Sequence, residues 1–298
     1  MSTNNKANSA LDTPLLASYE AGSAFAIDAA DYKASRLAHV TGSIPFGVKP
    51  LQVVLGSGGN SFLVVGETVL LAKLPKSRLG ACPNSDTVLA FERSRAGRWQ
   101  IVLEPSADSG RFPTLATATG GLARSVPAAA SSVARRLPGE VATALEHYEA
   151  SGQVGSLSRS DFTGSCWQVP DPHAEVISEQ AAGFDARELY SPSGRTLTFP
   201  MPGGDTLVLF TLASSESIVA PAGAAVRWRH VSGAPWMSLL PAGLYGQVVE
   251  SGQLEIAAVM SPGGGYRLVG AYSGITSVTG VKAKAQAPGG QPTLTSSG

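Results

Sequence analysis

The sequence predicts a mainly β protein, with an antiparallel sandwich or jelly-roll core that carries a small helical insertion. In the last third of the chain, apolar runs alternate with turn-forming residues about every ten residues, a spacing typical of such cores. Leu207–Phe210 is too continuously apolar for a half-exposed strand, so it predicts a strand buried on both faces and therefore a second layer. After it, Val226, Trp228 and His230 alternate with Arg227 and Arg229, which predicts an edge-like strand with one dry and one basic face.

The amino-terminal half predicts a mobile arm, one short helix and a meander of strands. Residues 1–16 are small and polar, as in a mobile arm, and a helix is expected near Ala29–His39 with Asp28 as its N-cap. Glu92–Arg98 predicts a basic turn, and residues 104–127 a long surface loop. Turns are also expected at residues 56–60 and at Gly66-Glu67. The expected strands are Leu51–Leu55, Phe62–Val65, Val69–Leu74, Thr87–Phe91 and Trp99–Leu103.

The helical insertion is expected at about residues 128–190. Gly139–Ala150 follows Pro138, has apolar residues at helical spacing and precedes Gly152, which indicates a helix. A second helix is expected over Ala174–Tyr190, with Gly183 as a possible break, and Cys166–Val169 between the two helices predicts a strand.

The remaining sequence predicts seven strands and a disordered tail at residues 282–298, which is poor in bulky apolar residues. Turns are expected at Ser251-Gly252, Pro262–Gly265 and Ser273-Gly274. The strands are Thr196–Phe199, Thr206–Leu212, Ala224–Val231, Tyr245–Val249, Leu254–Met260, Tyr266–Ala271 and Ile275–Val281. We therefore expect one β-rich domain over residues 17–281.

The composition favours a surface that packs against other molecules. Charged residues make up 15% of the 298 residues, well below the ~25% of ordinary soluble domains, and the net charge is zero. Ala, Ser and Pro supply about a third of the chain, so that much of the surface is small and neutral. Two cysteines indicate a reduced compartment. The sequence shows no leader pattern and no long apolar run, so we expect a protein that is not secreted and has no membrane partner.

No common catalytic motif is present. The sequence lacks a G-x-S-x-G elbow, a phosphate-binding P-loop and an H-E-x-x-H zinc helix, so neither an enzyme nor a cofactor is expected. Asp171, His173 and Glu175 alternate and in a strand could face one divalent ion. Pro170 and Pro172 favour a loop instead, and no metal site is expected.

Small arginine clusters are the strongest candidate binding signal. Arg93, Arg95 and Arg98 precede Trp99 in the basic turn. The other candidates are Arg135 and Arg136, before the first insertion helix, and Arg227 and Arg229, beside Trp228. Arginine makes bidentate phosphate contacts and aromatic rings stack on unpaired bases, which predicts sequence-independent RNA contact. Ordinary surface charge and ion pairs between subunits are the alternative.

In composition and size the chain resembles viral structural proteins, and more narrowly the Pro-Ala-Ser-rich genome-associated protein of the polymycoviruses. This resemblance implies a self-assembling, non-catalytic coat protein, with itself and viral RNA as partners, in the virion or the host cytoplasm. Two alternatives stay open. One is a decoration or tail component that binds only protein, and the other is an enzyme whose site is assembled from distant residues.

Overall fold

The computed structural model describes residues 3–40, 46–56, 59–70, 85–108, 110–116, 132–157, 171–283 and 293–295. Its helices are α1 Thr3–Ala10, α2 Thr13–Leu16, α3 Gly22–Leu37, α4 Leu137–Ser151 and α5 Pro172–Ala181. Its strands are β1 Phe46–Leu55, β2 Ser61–Leu70, β3 Ser85–Arg93, β4 Trp99–Leu103, β5 Ser106–Asp108, β6 Asp185–Pro200, β7 Thr206–Val219, β8 Ala225–Trp228, β9 Gly243–Met260, β10 Tyr266–Lys282 and β11 Thr293–Thr295. In this part of the chain no helix is long and apolar enough to cross a membrane.

The strands join into one sheet, which confirms the mainly β, antiparallel prediction. The main path runs β1-β2-β3-β5-β10-β9-β7-β6. Its pairings are antiparallel, as are those of β4 with β3 and of β8 with β9, whereas β11 pairs with β8 in parallel.

Strand β7, next to the end strand β6, is buried on both faces in its first half, as its sequence predicts. Val208, Phe210 and Leu212 pack into a core that helix α4 covers. Leu207 and Leu209 face the other way, into a core shared with β1–β4. The sheet therefore turns back on itself, and its two halves form the expected two layers.

A third core lies at the far end of β9 and β10. Trp228 and Val226 of β8 are buried there, and the Trp228 indole N–H donates to the Met237 carbonyl at 2.7 Å. Arg229 is exposed, but Arg227 is half-buried, and β8 pairs with β9 on one side and with β11 on the other, so the expectation of an edge-like strand is wrong. His230 is also exposed, because β8 ends at Trp228 and the alternation stops there.

The insertion helices are predicted with different accuracy. Helix α4 is close to the prediction. It starts two residues earlier than Gly139 and ends at Ser151, and Gly152 is its C-cap, with φ of 66° and its N–H donated to the Tyr148 carbonyl at 2.7 Å. Helix α5 is shorter than predicted. The chain from Asp185 pairs with β7 as strand β6, so the expected continuation of the helix to Tyr190 is wrong. Cys166–Val169 lies outside the described residues.

The amino-terminal expectations need correction. Residues 3–16 form α1 and α2 where a mobile arm was expected, because Ala7 and Leu16 pack against Tyr32 of α3. Helix α3 starts at Gly22, with Ala21 at the N-cap position, and so Asp28 lies in its interior.

Three glycine positions read as turns lie inside strands. Gly66 continues β2, Gly252 lies within the 18-residue β9, and Gly274 lies within β10. A Cβ at Gly66 would stand 2.7 Å from the Lys49 carbonyl oxygen, and one at Gly252 would stand 2.8 Å from Ser214 Oγ. These glycines permit close packing against neighbouring chain segments.

Two short strands also lie where none was expected. Ser106–Asp108 of the predicted surface loop forms β5, which links β3 to β10. Thr293–Thr295 of the predicted disordered tail forms β11.

Candidate interaction face and a buried carboxylate cluster

The first predicted arginine cluster lies at the β3–β4 hairpin. Arg93 ends β3, while Arg95 and Arg98 lie in the turn that the Ser94 N–H closes by donating to the Arg98 carbonyl at 2.7 Å. All three side chains are exposed. Trp99, the first residue of β4, is 38% exposed beside them.

The other predicted arginines lie on different elements. Arg135 and Arg136 precede α4, where Arg136 Nε lies 4.0 Å from Glu140 Oε1, and Arg227 and Arg229 lie at β8. These elements pack against cores other than the one beneath the β3–β4 hairpin. Arg93 and Arg95 line a cavity of about 520 Å³, which Arg195 joins from β6. The structure thus brings Arg93, Arg95 and Arg98 together, and RNA contact by any of the seven arginines stays a prediction.

Strand β1, the end strand of the sheet path, presents apolar side chains to solvent. Leu51, Val53 and Leu55 are 60%, 50% and 38% exposed, whereas Val54 between them is fully buried. The alternation means that the inner side of β1 joins the core and the outer side is open. Such a row of open aliphatic side chains on one strand is typical of an interaction surface.

The open surface continues across β2 and β3 to Trp99. Leu55 pairs with Phe62, and Phe62 pairs with Phe91. The Phe62 and Phe91 rings stack at 4.2 Å between centroids, and Trp99 meets Phe62 edge-on at 4.9 Å. We call this surface the outer face. It consists of Leu51, Val53, Leu55, Phe62, Val64, Phe91 and Trp99.

A second feature, which the sequence analysis missed, is a cluster of buried carboxyl groups. Glu255 of β9 is fully buried, and its Oε1 accepts a hydrogen bond from Ser23 Oγ at 2.6 Å. Its Oε2 accepts from the Glu104 backbone N–H, also at 2.6 Å. Ser23 Oγ also lies 3.0 Å from Thr211 Oγ1, so the start of α3 is fastened to β7 and β9.

Asp28 and Glu20 add two further carboxyl groups. The Tyr272 hydroxyl of β10 donates to Asp28 Oδ1 at 3.2 Å. Glu20 is 2% exposed, and within the described residues neither of its carboxyl oxygens has a hydrogen-bond partner. The ion pairs formed by Glu67, Glu92, Asp108 and Glu140 do not involve these carboxyl groups.

Burial favours the neutral acids in this cluster. Burial raises the pKa of Glu20 to about 9 and that of Glu255 to about 8, and nearby carboxylates add to both shifts. The pKa of Asp28 rises to about 6, and that of Glu104 also lies well above its ordinary value through burial. At neutral pH the cluster therefore holds protons that free carboxyl groups would release.

A cavity of about 640 Å³ adjoins this cluster, between helices α1 and α3 and strands β1–β3. Asp28, Asp31 and Glu104 supply its carboxyl groups, and Tyr32 and Tyr272 supply hydroxyls. Asn4, Asn5 and Asn8 complete its helical wall, where the Asn5 amide also exchanges hydrogen bonds with the Phe46 backbone.

Two members of the considered metal triplet, Asp171 and His173, have structural contacts. Asp171 caps α5 by accepting from the His173 and Ala174 N–H groups, and it also accepts from the Tyr148 hydroxyl at 3.0 Å. His173 Nδ1 lies 2.6 Å from the Glu149 carbonyl. Across the described residues, no group of three or more His, Cys, Asp or Glu side chains is arranged to hold a metal ion.

A family model described as "Domain of unknown function (DUF8094)" matches residues 1–280. The chain belongs to this family. The matched region includes every residue of the outer face and of the carboxylate cluster. No curated protein matches the chain. The resemblance to viral coat proteins therefore stays a prediction, and the function has to be argued from the two sites.

Proposed function

We propose that the protein is a non-catalytic, self-assembling protein, and that its outer face binds a second copy of the chain. The observation that supports this proposal most strongly is the open row of Leu51, Val53 and Leu55 on the end strand. Monomeric proteins seldom leave a contiguous apolar surface of this kind in water.

The energetics favour burial of this face. Full burial of one Leu, Val or Phe side chain contributes ~1.5–3 kcal/mol. The three β1 side chains are still about half exposed to solvent, and this exposed area would be buried on assembly. Phe62, Phe91 and Trp99 add aromatic area that is already ordered by mutual packing, so little side-chain entropy is lost on binding. The exposed arginine turn lies at the border of the face beside Trp99, as is usual for the polar rim of an interface.

Contact with a polyanion such as RNA is the second candidate. The specific observation that favours it is the position of Arg95 and Arg98 in the turn directly before Trp99, where phosphate contacts and base stacking could act together. Such binding would be independent of base sequence and would weaken steeply with salt. A coat protein would combine both candidates.

Size exclusion with light scattering, recorded at two absorbance wavelengths, tests both candidates at once. We expect the wild-type protein to form dimers or larger assemblies and Val53→Lys to be monomeric, because a lysine at the centre of the face must be desolvated on assembly. Ile177→Lys on α5 is the matched control, since Ile177 is 48% exposed outside the face. It should assemble as the wild type does.

A wild-type monomer over a wide range of concentration would contradict the proposal, as would a Val53→Lys variant that assembles normally. The RNA candidate is judged separately. It predicts a salt-sensitive shift of RNA that is weakened in the double variant Arg95→Ala/Arg98→Ala. If the RNA shift is absent but the protein assembles, the proposal of self-assembly stands and the RNA candidate is rejected.

A further inference from the structure

We propose that the cavity between α1, α3 and β1–β3 binds a small organic cation, such as a primary amine or a diamine, through Asp28, Asp31 and Glu104. This site is separate from the outer face and does not depend on self-assembly. The proposal rests on the shape of the cavity and on an atom left without a partner in its wall.

The cavity has the size and lining for such a ligand. At about 640 Å³ it accommodates a short polyamine, and among the described residues its lining contains carboxyl, amide, hydroxyl and apolar groups but no Lys, Arg or His. Asp31 is exposed and marks the mouth, whereas Asp28 and Glu104 lie deeper. Carboxylates at two depths suit a ligand with two amino groups.

An unsatisfied atom in the cavity wall is a second, independent observation. Asn4 lines the cavity, and within the described residues its buried Oδ1 has no hydrogen-bond partner. This oxygen accepts hydrogen bonds, and an ammonium group has three donors and no acceptor. An amine therefore supplies what this region lacks.

Binding should release protons. The titratable groups around the site are Glu20, Asp28, Asp31, Glu104 and Glu255, together with Tyr19, Tyr32 and Tyr272. The tyrosines stay neutral because burial raises their pKa values. A bound cation favours ionised carboxylates, so the affinity should increase as the pH rises and fewer protons have to be displaced.

Isothermal titration calorimetry with putrescine and spermidine tests the proposal, and 1,4-butanediol serves as an uncharged analogue of putrescine. We expect saturable binding of at least one amine, about tenfold tighter at about pH 8 than at about pH 6, and none of the diol. Titration in buffers with different ionisation enthalpies should show proton release.

Three variants locate the site. Asp28→Asn should weaken amine binding about tenfold or more, and Asp31→Asn at the exposed mouth should weaken it without disturbing the core. Asp185→Asn, an exposed acid at the start of β6, should have no effect. Absence of saturable binding, equal binding of the diol, or binding that is unchanged in both Asp28→Asn and Asp31→Asn would overturn the proposal. Val53→Lys should bind amines normally, so the failure of self-assembly and the failure of this site are distinguishable.

Discussion

Glu20 and Glu255 place two carboxyl groups in the protein interior at a considerable electrostatic cost. Glu255 offsets part of this cost by accepting hydrogen bonds from Ser23 and from the Glu104 backbone. Glu20 has no such compensation among the described residues. The folded state therefore prefers both groups protonated, and this preference links its stability to pH.

We predict that the protein is most stable at mildly acidic pH and loses stability as the pH rises towards 9. An unfolded glutamate releases its proton near its ordinary pKa of 4.5, whereas folded Glu255 and Glu20 keep theirs to about 8 and about 9. At a pH between the unfolded and the folded pKa, the folded state keeps a proton that the unfolded state has lost. Each pH unit of increase in this range therefore lowers the free energy of unfolding by up to ~1.4 kcal/mol per group. Thermal melts across this range measure the slope.

Glu20→Gln is the informative variant for this prediction. Glutamine resembles the protonated acid, and Glu20 has no carboxyl hydrogen bond to lose in the described part of the chain. The variant should show a shallower decline of the melting temperature above about pH 5. Glu140→Gln, on the exposed side of α4, should retain the wild-type slope. A wild-type melting temperature that rises from pH 5 to 9 would refute this view of the cluster.

The carboxylate cluster was beyond sequence prediction because its members come from distant segments. Glu20, Asp28, Glu104 and Glu255 meet through tertiary packing of α3 against β4, β9 and β10. One local signal was available. Glu255 lies in the run LEIAAVM at the same parity as Ala257 and Val259, so strand alternation places its side chain on a core-facing side, a signal that the sequence analysis did not use.

Helix α3 and strand β10 show how single glycines shape the packing of whole elements. A Cβ built on Gly274 would lie well inside contact distance of Ile27 Cγ2, so the helix approaches the strand where no side chain intervenes. The same contact holds Ser23 and Asp28 over Glu255 and Tyr272.

We predict that Gly274→Ala destabilises the protein by ~1–3 kcal/mol, through overpacking against α3. Ile27→Ala removes the colliding methyl group at the cost of a cavity, so the double variant should be destabilised by less than the sum of the single changes. Denaturant unfolding of the four proteins measures this coupling. Gly263→Ala, with open space around its Cβ position, is the control and should change little. Strict additivity would show that α3 and β10 do not share this contact.

Element prediction succeeded where the signals are local and failed where packing decides. The end of α4 is fixed by Gly152 in a left-handed conformation, a signal that any reader of the sequence can use. Gly252 and Gly274 are also glycines, but they lie within strands and allow a neighbouring strand or helix to approach closely. No local sequence pattern reveals such contacts. The sequence analysis therefore wrongly places a turn within each of the long strands β9 and β10.

At the scale of the whole molecule, one side of β1–β4 is shared by the two proposed sites. Thr68, Thr87 and Ile101 of this side line the cavity beneath α1 and α3. Val64, Phe91 and Trp99 have the same strand parity and belong to the outer face. The amino-terminal helices thus cover one end of this side, and we propose that a second copy covers the other.

The two-layered β architecture followed from the alternation and continuity of apolar residues, as β7 shows with Val208 and Leu209 in different cores. The outer face did not follow from them, because Leu51, Val53 and Leu55 read only as strand-forming residues. Which side of a strand is covered depends on the partners of the whole sheet, and sequence periodicity does not specify them.

The most direct test of self-assembly through the outer face is backbone hydrogen–deuterium exchange measured as a function of protein concentration. We predict that peptides containing Leu51–Leu55 and Phe62–Val64 exchange more slowly at high concentration, while peptides from the central strand β9 do not change. Val53→Lys should abolish the effect. Exchange of the β1–β2 hairpin that is independent of concentration, in a protein that is monomeric by light scattering, would contradict the account.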